Sequence, residues 1–202
     1  MAPKLTKEFA QKLMEIKGEV RGVAFRTDTE YILREKGEED LKKLEDKMAR
    51  LGYPIKYKKI ETMTFYPIGL RPLSLLVVRE LFNFDDSTIK KMGFFATKSS
   101  FIIRIFVLPF LSLKKVFFEE APKIWKKHFT IGQILPVELN EEKRYGILRV
   151  KNLNLHPIYC IYLAGYFCGI LEMLLRGYKI SCKETKCFFR GDEYHEYLLE
   201  WR

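Results

Sequence analysis

"HPIYCIYLAGYFCGILEMLLRGY", residues 156–178, decides how this chain is read. From Pro157 to Leu171 it carries no charged side chain, and Glu172 follows directly. As a helix that stretch would be about 22 Å long, short of a bilayer's roughly 30 Å hydrocarbon core. A buried core helix is therefore expected rather than a membrane span. Pro157 suits the first turn, where the N–H it lacks would be unpaired anyway, and Gly177 suits the end. Gly165 and Gly169 share one face of this helix. A glycine inside a helix costs about 1 kcal/mol relative to alanine. Two at this spacing point to close backbone approach to a strand, another helix or a ligand, and packing on a sheet is the commonest case.

Both flanks of that helix alternate as strands do. Upstream, "FTIGQILPVEL" and "KRYGILRVKNL" read as a hairpin around a short turn at "NEE". Downstream, "KISCKETKCFFR" and "EYHEYLLEW" read as two strands around Gly191-Asp192. The order strand-strand-helix-strand-strand predicts an antiparallel sheet with one face on the apolar helix. The first half reads as helical. "EEDLKKLEDKMARLG" keeps Leu41, Leu44, Met48 and Leu51 on a 3.6-residue period, with Gly52 as C-cap. Leu73 to Phe82 is a second apolar helix, with Asp85 or Asp86 capping the next. Thr6 to Lys17 is a short amphipathic one, and a turn at Gly22 and Asp28 leads to a helix ending at Gly37. The expected class is α+β: a helical N-terminal half, then a C-terminal strand-strand-helix-strand-strand sheet. Residues 20–202 are read as one domain and 1–19 as a helical extension.

Composition narrows the function. Hydrophobic residues make up 48% of the chain and charged residues 31%, which is globular and not disordered. The net charge of +10 comes from lysines spread along the chain, without a run of five. That pattern is a solvated basic surface, so no specific nucleic acid is expected. Four cysteines in 202 residues do not make a disulfide scaffold. "MAPKLTKEFAQKL" lacks a signal peptide's apolar core, so reduced thiols and a cytoplasmic location are expected. There is no P-loop, GxSxG or HExxH, and no nucleophile stands beside an evident base. An enzyme is not expected. Aromatic residues crowd the segment holding Phe101, Phe106 and Trp125, and Tyr162 and Tyr166 lie on the long helix. These five are the candidate walls of an apolar pocket; a filled aromatic core is the competing reading.

The second half resembles a known family. "GYFCGILE" followed by Cys187, Gly191-Asp192, His195 and Trp201 is similar to the 4-vinyl-reductase domain. That fold is shared with haem-based nitric-oxide sensors and with subunits of the TRAPP vesicle-tethering complex. "RGVAFRTDTEYILREKGEEDLKKL" and "FYPIGLRPLSLLV" resemble an uncharacterised bacterial family expanded in myxobacteria and built on the same fold. Together the resemblances cover most of residues 20–202. They imply a non-catalytic domain that binds or senses an apolar or aromatic small molecule, or a lipid. The alternative they imply is a TRAPP-like homodimeric adaptor with peripheral membrane contact. The nitric-oxide sensors use a helical proximal histidine and a Tyr-x-Ser-x-Arg motif. The motif is absent, and His128 is the only histidine of the helical half, so haem is not expected.

Thiolate and imidazole are good zinc ligands. Cys187 and His195 flank the Gly-Asp turn. A three-residue loop from Arg190 to Asp192 would put them on one face of the hairpin, and a two-residue loop on opposite faces. The resemblance adds Cys160, where metal-binding relatives carry a ligand cysteine, and Glu184, three before Cys187. His195 stands where those relatives have a cysteine. Glu184 and Cys187 share a face only if "CKETK" holds a bulge or loop. Zinc at Cys160, Glu184, Cys187 and His195 is thus the candidate metal site, set against a buried thiol acting as a small hydrophobe.

Overall fold

A computed structural model describes residues 5–99 and 112–202. Phe101 and Phe106 fall outside the described residues. The helical half comprises α1 (Lys7–Met14), α2 (Val23–Lys36), α3 (Glu38–Arg50), α4 (Leu70–Phe82) and α5 (Asp86–Ser99). Two short strands, β1 (Glu19–Arg21) and β2 (Phe65–Pro67), pair antiparallel across it. A helical turn at Leu113–Lys115 and a π-turn at Val116–Glu120 lead into α6 (Ala121–His128). Then come β3 (Gln133–Asn140), β4 (Tyr145–Lys151), α7 (Pro157–Leu174), β5 (Ile180–Lys186) and β6 (His195–Trp201). These last four strands form one antiparallel sheet in the order β3-β4-β6-β5. The class is the expected α+β.

Local chemistry sets these boundaries. The Thr6 hydroxyl accepts from the Phe9 N–H at 3.2 Å and starts α1. Asp85 accepts from the Thr88 N–H at 2.8 Å and starts α5. At α7 the cap is His156 itself, whose Nδ1 accepts from the Ile158 N–H at 3.1 Å. One expectation fails here. Asp28 does not mark a turn; it lies within α2 and is 1% exposed.

The inner face of the sheet is read from β6, where His195, Tyr197, Leu199 and Trp201 are all buried and the residues between them are not. α7 lies on that face; the Phe167 and Tyr197 rings meet edge-on at 5.0 Å. α7 is long and apolar enough to cross a membrane by length and composition. Here it lies between the sheet and α5.

The glycines serve the α5 side and not the sheet, which corrects the expected partner. A Cβ on Gly165 would sit 1.8 Å from the Lys90 carbonyl oxygen of α5. On the facing helix, a Cβ on Gly93 would sit 2.0 Å from the Tyr162 carbonyl oxygen. The two helices cross backbone to backbone, which only residues without a side chain allow.

Candidate functional site

The four candidate metal ligands come from three elements and meet. Cys160 is in the first turn of α7, Glu184 is on β5, Cys187 follows β5 and His195 opens β6. Their ligand atoms all lie within 4.8 Å of one another. His195 Nδ1 is 3.0 Å from Glu184 Oε1 and 3.5 Å from Cys160 Sγ. His195 is 1% exposed, Cys187 3% and Cys160 6%.

Neither loop length considered from sequence is the one observed. The connection from β5 to β6 holds a 3-10 turn at Phe188–Arg190 and left-handed Gly191 (φ 96°). Asp192 closes it by accepting from the Cys187 N–H at 2.7 Å. The bulge is present: Glu184 pairs with Tyr197 but Lys186 pairs with Glu196, leaving Thr185 as the extra residue. Cys182 and Glu184 therefore share the inner face, and the extra residue brings Cys187 back toward it.

Burial, and after it the Glu184 charge, push the Cys160 thiol's pKa far up. Burial raises that of Cys187 as well. A nucleophilic cysteine needs the opposite shift. The His195 Nε2 is buried and has no hydrogen-bond partner among the described residues.

Two cavities lie further along α7. The first, of about 70 Å³, is walled by Phe117, Ile134, Leu148, Phe167, Leu171 and Leu199 and is almost wholly apolar. The second, of about 50 Å³, has Arg21, Thr27, Arg71, Tyr159 and Tyr162 on its wall. Trp125, His128, Phe129 and Tyr166 border both. Trp125 is held by its Nε1–H donating to the Ile131 carbonyl at 3.1 Å, and it stacks on Phe129 with centroids 4.2 Å apart. Of the aromatic candidates, Trp125 and Tyr166 thus stand between the cavities, and Tyr162 lines only the second.

His128 ends α6 half-buried. Its Nδ1 lies 2.8 Å from the Ile124 carbonyl, and burial lowers its pKa. Sequence reasoning missed the polar wall. Arg71 is fully buried and ion-paired to Asp28, which also accepts from the Tyr162 hydroxyl at 2.9 Å. The only signal was an arginine inside the apolar run "YPIGLRPLSLLVV".

No family model and no curated protein matches this chain. Solved structures do. An H-NOX protein from S. oneidensis in the Fe(II)NO ligation state is 15% identical, with TM-score 0.68 over 90% of this chain and 99% of that one. A mutant of an S. oneidensis H-NOX protein in the Fe(II) state gives 14% and 0.70 over 90% and 96%. A structure described as probing heme distortion in the H-NOX family gives 12% and 0.60 over 90% and 95%. These names overturn the cofactor expectation, which set haem aside and kept zinc: they speak of Fe(II), NO and heme, and none mentions zinc. A porphyrin does not fit cavities of about 50 and 70 Å³ as they stand. His128 borders both cavities, with Nδ1 taken up by the Ile124 carbonyl. At these identities the likeness establishes the architecture: the chain has the fold of the H-NOX domains, the nitric-oxide-sensor branch of the expected resemblance.

Proposed function

We propose that this chain is a non-catalytic domain that binds a small molecule between α6, α7 and the sheet, and that binding is its sensing step. The observation that carries the reading is the pair of neighbouring cavities that share Trp125, His128, Phe129 and Tyr166 as a wall. Functional pockets are commonly about 300–1,000 Å³, so the walls must part around a ligand of drug size. The apolar cavity favours an aromatic or aliphatic body.

The four-ligand cluster supports a second element of the reading: a divalent metal ion that ties α7 to the β5–β6 hairpin. Two thiolates, an imidazole and a carboxylate form a closed, buried donor set of the structural kind. Residues 20–202 are read as the domain. Residues 1–19 are read as its extension, of whose described part Ala10 and Leu13 are buried and Phe9 is edge-on to His156. The relationships to the 4-vinyl-reductase domain and to the TRAPP subunits and the homodimer rest on the resemblance alone, the cytoplasmic location rests on the cysteine usage and the N-terminal sequence, and all stand as proposals.

Heat-denaturation midpoints with aromatic compounds, aliphatic compounds and haemin test the binding reading. Ligand at 100 times its dissociation constant stabilises by about 2.7 kcal/mol. A Leu171→Trp substitution fills the apolar cavity and is expected to abolish the shift. If no compound of any class moves the midpoint, the reading is wrong. If only haemin moves it, with a His128-dependent absorption band, the ligand is haem.

A further inference from the structure

Arg71 is the largest fully buried side chain among the described residues, and its guanidinium is only half used. Nη1 donates to Asp28 Oδ2 and, at 3.2 Å, to the Ala24 carbonyl. Nε and Nη2 have no hydrogen-bond partner among the described residues. The rings of Phe25, Tyr159 and Tyr162 stand around the group, with its central carbon 4.9–5.7 Å from their centroids. The Tyr159 hydroxyl lies within side-chain hydrogen-bonding reach of the guanidinium, but not in a geometry that satisfies Nε or Nη2. Unmade hydrogen bonds on a buried charged group are costly, so a vacant edge of this kind calls for an acceptor.

Arg71 borders the 50 Å³ cavity, together with Arg21 and Tyr159. No aspartate or glutamate among the described residues lines that cavity. Arg21 is itself fixed there, with Nη1 donating to the Met63 carbonyl at 2.6 Å and its guanidinium over the Phe65 ring at 4.6 Å. The wall thus carries two cations. The neighbouring anion, Asp28, is already engaged by Arg71 and Tyr162. The Nε/Nη2 edge of an arginine matches the two oxygens of a carboxylate side-on. Past Trp125 and Tyr166 lies the apolar cavity.

We infer that the ligand is an amphiphilic monocarboxylate, its carboxylate on the Nε/Nη2 edge of Arg71 and its apolar body beyond Trp125 and Tyr166. This rests on the binding reading above and gives it a ligand class. The competing account is a structural arginine whose free N–H groups meet trapped water. A cavity of this size holds a few waters, at roughly 10–15 Å³ each.

Matched probes separate the two. Octanoate and 4-ethylbenzoate are titrated by calorimetry alongside octan-1-ol and 4-ethylbenzyl alcohol, which share their bodies without the charge. Each carboxylate is expected to bind at least 10-fold more tightly than its alcohol. Whichever pair binds distinguishes an aliphatic from an aromatic body. Arg71→Lys, which keeps the charge and loses the fork, is expected to remove that preference and leave alcohol binding within twofold.

Arg71→Lys alters a fully buried ion pair, so the wild type is also tested directly, with octanoate carrying ¹³C at the carboxyl. The bound carboxyl resonance is expected to stay ionised at pH values where free octanoate is protonated. Alcohols that bind as well as the acids, or a bound carboxyl that titrates like the free one, overturn the inference and leave the binding reading intact. If none of the four binds while other compounds raise the midpoint, the inference again fails alone. If nothing binds at all, both fail.

Discussion

The sulfur of Cys160 lies 3.5 Å from Nδ1 of His195, a residue 35 positions further along the chain. The same nitrogen lies 3.0 Å from a Glu184 oxygen, while Nε2 on the other edge of the ring has no partner among the described residues. A single Nδ1 proton serves the carboxylate or the sulfur but not both, and Nε2 stays unmet. One cation among the four groups would replace several competing protons and compensate the charge that burial opposes.

Protein purified without a tag and without added metal is therefore expected to hold close to one equivalent of a divalent metal per chain by elemental analysis. Cys187→Ser and His195→Ala are each expected to weaken binding by more than about 100-fold, since loss of even an outer-sphere partner costs about 10–100-fold. Cys168→Ser, outside the cluster, should leave the metal in place. Thiols and imidazole must shed protons to bind, so affinity falls as pH falls. Less than a tenth of an equivalent in the wild type, unchanged by these substitutions, rules the metal out.

How far this site was legible depends on which contacts are local. Cys187 and His195 flank one turn, so their pairing followed from hairpin geometry, and the bulge was the condition for Glu184 and Cys187 to share a face. The long loop was not legible, because a 3-10 turn and the Asp192 side chain, not residue count, set the register. α7 was legible from one uncharged run, but the partner of Gly165 and Gly169 was not, because a glycine records a close approach without naming what approaches. Asp28 and Arg71 were invisible as a pair: 43 positions separate them, and Asp28 alone reads as a turn residue.

The α5–α7 crossing gives a prediction with a reversed sign. Gly→Ala inside an exposed helix stabilises by about 1 kcal/mol. At Gly165 the new methyl meets the Lys90 carbonyl oxygen at 1.8 Å, which is backbone and cannot rotate away. Overpacking of this kind costs about 1–3 kcal/mol. Urea unfolding of Gly165→Ala is expected to show a loss in that range. A gain would mean that the helices do not cross there.

His156 sets a pH dependence. Its Nδ1 accepts the cap hydrogen bond of α7, and burial, with the Arg79 charge second, lowers its pKa below the ordinary 6.5. The unfolded chain then binds the proton more readily than the folded one. The contribution of neutral His156 is complete above about pH 6.5 and is lost as pH falls through its lowered folded value. Asn also caps helices well and does not titrate in this range. His156→Asn is expected to hold stability near pH 7 and to flatten its decline toward pH 5. An equally steep decline in the variant would place the titration elsewhere; His128, also lowered by burial, is the next residue to replace.

Ligand entry should be visible at Trp125. The chain has two tryptophans. Trp201 is buried at the end of β6, while Trp125 borders both cavities and is fixed by its hydrogen bond to Ile131 and its stacking on Phe129. In a Trp201→Phe background all indole emission comes from Trp125. A ligand that fills the space beside it displaces water or parts the Phe129 stack, and either changes the polarity around the ring. Emission is expected to shift in wavelength and intensity with the same midpoint as the calorimetric titration. Trp125→Phe in the wild-type background should bind with similar affinity, since Phe keeps most of the apolar wall, but should show no shift from Trp201. A compound that raises the unfolding midpoint yet leaves Trp125 emission unchanged binds somewhere other than these cavities.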